Sequence, residues 1–265
     1  MEKISLKETA GIDINLDRLT GEISFSDEFN TIKPDIRRIA EATPYYFDSS
    51  RSEKDLPSYL MYRGVCKRND SNKISNSGLR YDITVILPGT IGEEYIKTIG
   101  HVHPLSPFSD FNRTFTEVYS VIFGEAVYVL QKFSHLYLLG KENDLTKIIE
   151  DVAIIEAKAG DTIFIPSHYG HTTINTGKSP LVMANILYSD FNSMYEPYRV
   201  FKGASYYIIK SNRNLSRINE NQMYFYPPKP RLLEAKHFAP PNLDSNSPLY
   251  LQFLEKFEKL DFLYK

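Results

Sequence analysis

The chain is 265 residues long and 42% hydrophobic, with 31 basic against 33 acidic residues and a formal charge of −2. That length supports one large domain, or one domain with a modest extension, and its single cysteine, Cys66, excludes an internal disulfide. The near-neutral balance argues against a nucleic-acid partner or an acidic membrane surface. No apolar run approaches the ~20 residues of a spanning helix, and residues 1–10 lack a signal peptide's apolar core, so a soluble cytoplasmic protein is expected.

The alternating segment 11–16 reads as a strand, with Thr20-Gly21 as the turn after it. Lys33-Pro34 followed by 35–40 reads as a short helix with Pro in its first turn, ended by Thr43-Pro44. Residues 64–78, rich in Asn and Ser, read as a polar connection. From Leu79 the texture becomes short runs of Val, Ile, Thr, Tyr and Phe, over 79–87, 94–99, 117–123, 126–133, 135–139, 146–157, 162–165, 170–175 and 181–188. Turn residues such as Pro88-Gly89, Gly124-Glu125 and Gly160-Asp161 separate them, a spacing that predicts an all-β sandwich or barrel. Residues 104–116 interrupt the series as an inserted loop, where a rigid barrel often carries a site cover. Beyond it, 193–201 reads as a short helix and 205–210 as a strand. The block 211–265 differs, broken by Pro227-Pro228 and Pro240-Pro241. It ends in Tyr250, Phe253, Leu254, Phe257 and Leu260 at helical spacing, a stripe that faces either the core or a second copy. Two units are expected: 1–210, and an extension over 211–265 that packs on the barrel or on a dimer partner.

His101-Val102-His103 follows the 94–99 run. Residues i and i+2 of a strand face the same way, so both imidazoles can serve one metal. Glu117 comes after 13 intervening residues and Gly124 after six more. Further on, Gly160, Pro166, His171 and Asn175 form a second spaced set. These two segments resemble the two motifs of the cupin, or jelly-roll, barrel with one long insertion. Together they supply three imidazoles and a carboxylate, a set suited to a divalent transition metal with open coordination positions. Tyr95 and His168 stand where those motifs usually carry glycine, so His168 is either an added pocket group or a solvated turn residue. His135 and His237 fall outside both motifs and read as surface or packing residues.

The runs 79–89 and 98–103, Thr116-Glu117-Val118-Tyr119, Phe164-Ile165-Pro166, 171–175, and Tyr188 with Tyr195 resemble, more narrowly, the cupin-type phosphoglucose isomerases of archaea. So do Asp17…Thr20-Gly21 and Tyr46-Phe47-Asp48; the resemblance spans roughly 10–210 and leaves the last 55 residues without counterpart. It implies metal-dependent interconversion of glucose 6-phosphate and fructose 6-phosphate, a step of glycolysis and gluconeogenesis, through a cis-enediol intermediate. It implies one divalent metal per chain (Fe, Mn, Ni or Zn) on His101, His103, Glu117 and His171, with Glu117 also the catalytic base. Thr84, Thr98 and the Gly100 backbone would hold the phosphate, joined in the substrate site by Tyr119, Tyr188 and Tyr195; a homodimer is expected. The family's histidine two positions before the last tyrosine is Ser193 here, a departure that leaves one substrate contact open. Three other readings share the scaffold: an isomerase or epimerase of another sugar phosphate, a metal-dependent dioxygenase, and a non-catalytic sugar-binding cupin.

Overall fold

The strand Leu79–Ile86 shows how the layers are built. Successive side chains alternate between faces, so Leu79, Tyr81, Ile83 and Val85 join one apolar cluster. Arg80, Asp82 and Thr84 point the other way and line a pocket. In the computed structural model, which describes residues 3–48, 50, 55–211, 216–244 and 247–265, this strand is part of a six-stranded antiparallel sheet. Its order is Thr162–Ile165, Glu117–Phe123, Leu181–Tyr188, Leu79–Ile86, Pro57–Tyr62, Asp35–Arg38. A second sheet runs Tyr169–Asn175, Glu125–Phe133, Ile149–Lys158, Arg231–Glu234, the last strand parallel to its neighbour. The inner faces pack together through Tyr119, Val121 and Met183 on one sheet and Tyr128, Leu130 and Ile155 on the other. This is the all-β cupin barrel, and the pocket opens inside it.

The outer face of the six-stranded sheet is also apolar, and two segments cover it. One is the small sheet Lys3–Ser5, Ile14–Asp17, Ile23–Phe25; the other is the helix Leu249–Glu255. The stripe foreseen near the end of the sequence therefore packs against its own chain. Tyr250 stands edge-on to Tyr81, with ring centroids 5.1 Å apart, and its hydroxyl donates to Asp70 Oδ2 at 2.9 Å. A buried aromatic with a satisfied polar tip combines apolar burial with a located hydrogen bond. A fourth sheet, Ser216–Glu220, Tyr206–Lys210, Glu94–Tyr95, Thr90–Ile91, places Ile208 and Ile218 beside Val127 and Ile154 of the second sheet. No helix among the described residues is long and apolar enough to cross a membrane.

Several local expectations change. Asp35–Arg38 is a strand, because it pairs with Pro57–Tyr62; the helix starts only at Ile39, where the Glu41 carboxylate accepts the Arg38 N–H at 2.8 Å. The run at 135–139 is the helix His135–Leu138, opened by the Ser134 hydroxyl accepting the Tyr137 N–H at 3.1 Å. Residues 64–78 are not all connection: Ser71–Ser77 is helical and stops at Gly78, whose φ of 70° is left-handed. Of the strand expected over 94–99 only Glu94–Tyr95 is regular; isolated bridges from Lys97 to Ile174 and from His101 to His171 carry the chain onward.

Candidate metal centre and substrate pocket

Those bridges bring the histidines together. His101 N–H donates to His171 O at 3.1 Å and His171 N–H returns the bond to His101 O at 2.9 Å, so the two backbones are clamped side by side. Gly100, just before, sits at φ +74°, and a Cβ there would lie 2.3 Å from the Tyr198 ring. Only glycine fits that turn. Gly100→Ala is therefore expected to destabilise the fold by about 2–5 kcal/mol, from left-handed strain and overpacking. Chemical denaturation of the two proteins measures the difference.

His103 and Glu117 arrive from the two ends of the 104–116 loop. The Phe115 carbonyl, which can only accept, lies 3.0 Å from His103 Nδ1. In neutral imidazole that places the proton on Nδ1 and leaves Nε2 a bare lone pair. That lone pair faces His101 Nε2 at 3.2 Å and Glu117 Oε2 at 3.3 Å, while His171 Nε2 is 3.2 Å from the same oxygen. One ligand atom from each of His101, His103, Glu117 and His171 lies within 4.8 Å of all the others. His103, Glu117 and His171 are each 1% exposed.

Electrostatics favours the ligand forms. Burial, then the neighbouring His171 and His103, push His101 well below the ordinary imidazole range; burial also lowers His171, against the pull of Glu117. Burial opposes ionisation of Glu117, but His103 and His171 outweigh it and hold the carboxyl below its usual range. Three imidazole nitrogens and a carboxylate oxygen thus face one another across a gap, and Oε2 is buried without an aligned donor. Lone pairs so arranged repel unless a proton or a metal ion sits between them, and three nitrogens with one oxygen match the preferences of divalent transition metals. The residues present fit such an ion.

Glu117 has a second oxygen with a different neighbour. Asn185 donates its side-chain N–H to Oε1 at 2.7 Å. Glu117, Tyr119 and Asn185 line the pocket, and so do Thr84, Thr98, Gly100, His101 and Tyr195. The Tyr119 hydroxyl lies 3.2 Å from His171 Nε2. Thr98 Oγ1 accepts the Thr173 N–H at 3.0 Å and lies 3.4 Å from Thr172 Oγ1.

A model of the glucose-6-phosphate isomerase (GPI) family matches residues 37–224, which takes in every one of these groups. The chain belongs to the glucose-6-phosphate isomerase family. Among curated members, the glucose-6-phosphate isomerase of Thermococcus litoralis is 24% identical over 185 residues, covering 68% of this chain and 82% of the relative. That of Pyrococcus furiosus is 24% identical over 183 residues, with the same coverages. Among solved structures, oxalate oxidase in complex with the substrate analogue glycolate aligns over 59% of this chain and 62% of its own, at TM-score 0.36 and 17% identity.

Within that family frame, one expected contact is absent and others are added. Tyr188 does not line the pocket. Strand alternation turns Leu187 inward and Tyr188 outward, where its ring stacks on Phe115 at 5.1 Å and 5°. His168 joins neither the pocket nor the metal cluster; at φ 69° it forms a half-buried turn with its ring 5.3 Å from that of His135. The added groups are Arg63, Arg80, Asp82 and Asn185. Arg80 Nε donates to both Asp82 oxygens, at 2.9 and 3.0 Å, and Arg63 Nη1 lies 3.8 Å from Asp82 Oδ2. Two guanidinium groups thus flank one buried carboxylate on this side of the pocket, and Arg63 also pairs with the exposed Asp35 at 2.9 Å. A signal for these residues was present in the sequence. Arg80, Asp82 and Thr84 are polar at every second position of an otherwise apolar run, and Asn185 stands alone among the apolar residues of Leu181–Tyr188.

Proposed function

We propose that this chain interconverts glucose 6-phosphate and fructose 6-phosphate, with a divalent transition metal held by His101, His103, Glu117 and His171. The observation that carries the proposal is the convergence of those four ligand atoms, within 4.8 Å, beside a pocket that His101 and Glu117 line together with hydroxyl and guanidinium donors. When bound, an iron, manganese, nickel or zinc ion supplies Lewis-acid stabilisation to the sugar oxygens at C1 and C2.

The protein's own groups do the rest. Glu117 moves the proton between C1 and C2. Its two oxygens are already distinguished, Oε2 turned to the histidines and Oε1 held at the pocket by Asn185, so one carboxylate serves as both ligand and base. Held as a ligand, Glu117 would be a weakened base, and the Asn185 bond to Oε1 would keep that oxygen at the pocket for the sugar proton. The Thr98 hydroxyl, with Thr84 and the Gly100 backbone, receives the phosphate, and Arg63 and Arg80 supply the charge that hydroxyls lack. Arg63→Met is expected to raise KM about tenfold with kcat little changed, the loss of one charge-assisted hydrogen bond. Arg63 suits this test because its Nε partner, Asp35, is solvent-exposed and is not left buried without a counter-ion.

The decisive experiment is a coupled assay of fructose 6-phosphate conversion on protein stripped by a chelator and then reloaded with each metal in turn. Turnover that disappears and returns supports the proposal; turnover untouched by stripping refutes the metal's part, and none with any metal refutes the substrate. Run in deuterium oxide, proton transfer places deuterium at C2 of the product, and a hydride shift does not. A second reading, another sugar phosphate on the same site, draws on Arg80, Asp82 and Ser193 in the pocket; a panel of aldose and ketose phosphates separates the two.

A further inference from the structure

The family match ends at residue 224, yet a segment far beyond it reaches the metal centre. The helix Leu249–Glu255 leads into two short turns, Phe257–Lys259 and Asp261–Leu263, and Leu260 and Leu263 are fully buried on the outer face of the sheet. This leaves the backbone carbonyls of Phe262 and Leu263 facing Thr116. The Thr116 hydroxyl donates to Phe262 O at 2.9 Å and its N–H to Leu263 O at 3.0 Å, while the Ser106 hydroxyl, at the other end of the loop, donates to Tyr264 O.

Thr116 sits between the two residues that matter most. On one side is Glu117. On the other is Phe115, whose carbonyl fixes the His103 proton on Nδ1. The Phe115 ring lies between Tyr188, at 5.1 Å, and Phe191, at 4.7 Å and 14°, and Phe191 in turn packs on the His103 ring at 4.7 Å. The Tyr264 ring closes the far end of this stack against Tyr188, at 5.5 Å. A peptide plane held at its nitrogen, its ring and its following residue has no freedom to turn its carbonyl away. We propose that the segment Leu260–Tyr264 is a positioning element for His103: by holding Thr116, it aims the Phe115 carbonyl that selects the tautomer presenting Nε2 to the metal. None of its residues lines the pocket or belongs to the four-residue cluster. A group that orients a metal-binding histidine in this way typically changes metal affinity about 10–100-fold when it is lost.

Two readouts test this, and only the second rests on the proposed metal. The first is the tautomer of His103 in metal-free protein, read from the ring nitrogen shifts of histidine-labelled samples. The second is the Mn²⁺ dissociation constant by calorimetry. Native protein and Thr116→Ser, which keeps the hydroxyl, are expected to show a single Nδ1–H tautomer and the same affinity. Thr116→Val, and a chain ending at Lys259, are expected to show both tautomers and an affinity about 10–100-fold weaker. If the shortened chain does not fold, the Thr116→Val and Thr116→Ser pair decides. A Thr116→Val protein with one tautomer, and affinity within about twofold of native, overturns the inference. A native protein that binds no Mn²⁺ or other divalent ion refutes the metal proposal instead, and the tautomer readout then judges the segment alone.

Discussion

Glu117→Gln is expected to lower kcat for fructose 6-phosphate by about 10²–10⁴-fold, the range that general acid–base catalysis typically contributes. The substitution is nearly isosteric and keeps an acceptor for Asn185, so the barrel should persist. It removes the only acidic group among the four clustered side chains. Metal content of the purified variant shows which of the two roles has failed. Loss of turnover with metal retained assigns Glu117 as the proton carrier. Loss of both assigns it first as a ligand, because an amide oxygen is a weaker partner for a cation than a carboxylate. Full retained activity would remove Glu117 from the mechanism.

Metal removal is expected to produce the second large effect, on stability as well as turnover. Glu117 is 1% exposed, its carboxyl is held below the usual range, and its Oε2 lies 3.3 Å from His103 Nε2 and 3.2 Å from His171 Nε2. Binding only to the folded chain adds about 2.7 kcal/mol when free metal is 100 times its dissociation constant. For a domain of this size that corresponds to a rise in Tm of roughly 5–10 °C. Chelator-treated protein should therefore melt lower by about that amount and recover when Mn²⁺ or Zn²⁺ is returned. An unchanged melting curve, with activity intact, would mean the four residues form a polar cluster and not a metal centre. The size of the shift with each ion ranks the metals, which the ligand set alone leaves open between iron, manganese, nickel and zinc.

The strands that build the site were legible because their pattern is local. Glu117–Phe123, Thr162–Ile165 and Leu181–Tyr188 occupy the spans that alternation and turn residues predicted. Misreadings occurred where a distant partner decides the conformation. Asp35–Arg38 has the composition of a helix start, and pairing with Pro57–Tyr62 makes it a strand. His135–Leu138 has β-type residues, and the Ser134 cap makes it a helix. Tyr188 illustrates a finer limit. Resemblance placed a tyrosine near the substrate, but a shift of one position along a strand reverses the face a side chain occupies, and Leu187 takes the inward place.

His101, His103, Glu117 and His171 could be picked out by residue type and spacing, because a metal needs particular donor atoms and the barrel strands that present them keep a regular period. The sequence by itself thus determined the β class, the four clustered residues and the hydroxyls beside them. Tertiary structure alone decided which oxygen of Glu117 faces Asn185, that Arg63 joins Arg80 beside Asp82, and that residues 262 and 263 hold Thr116 from 146 positions away or more. Those contacts join segments far apart in the chain, and no local period of side chains records where a backbone carbonyl will point after folding.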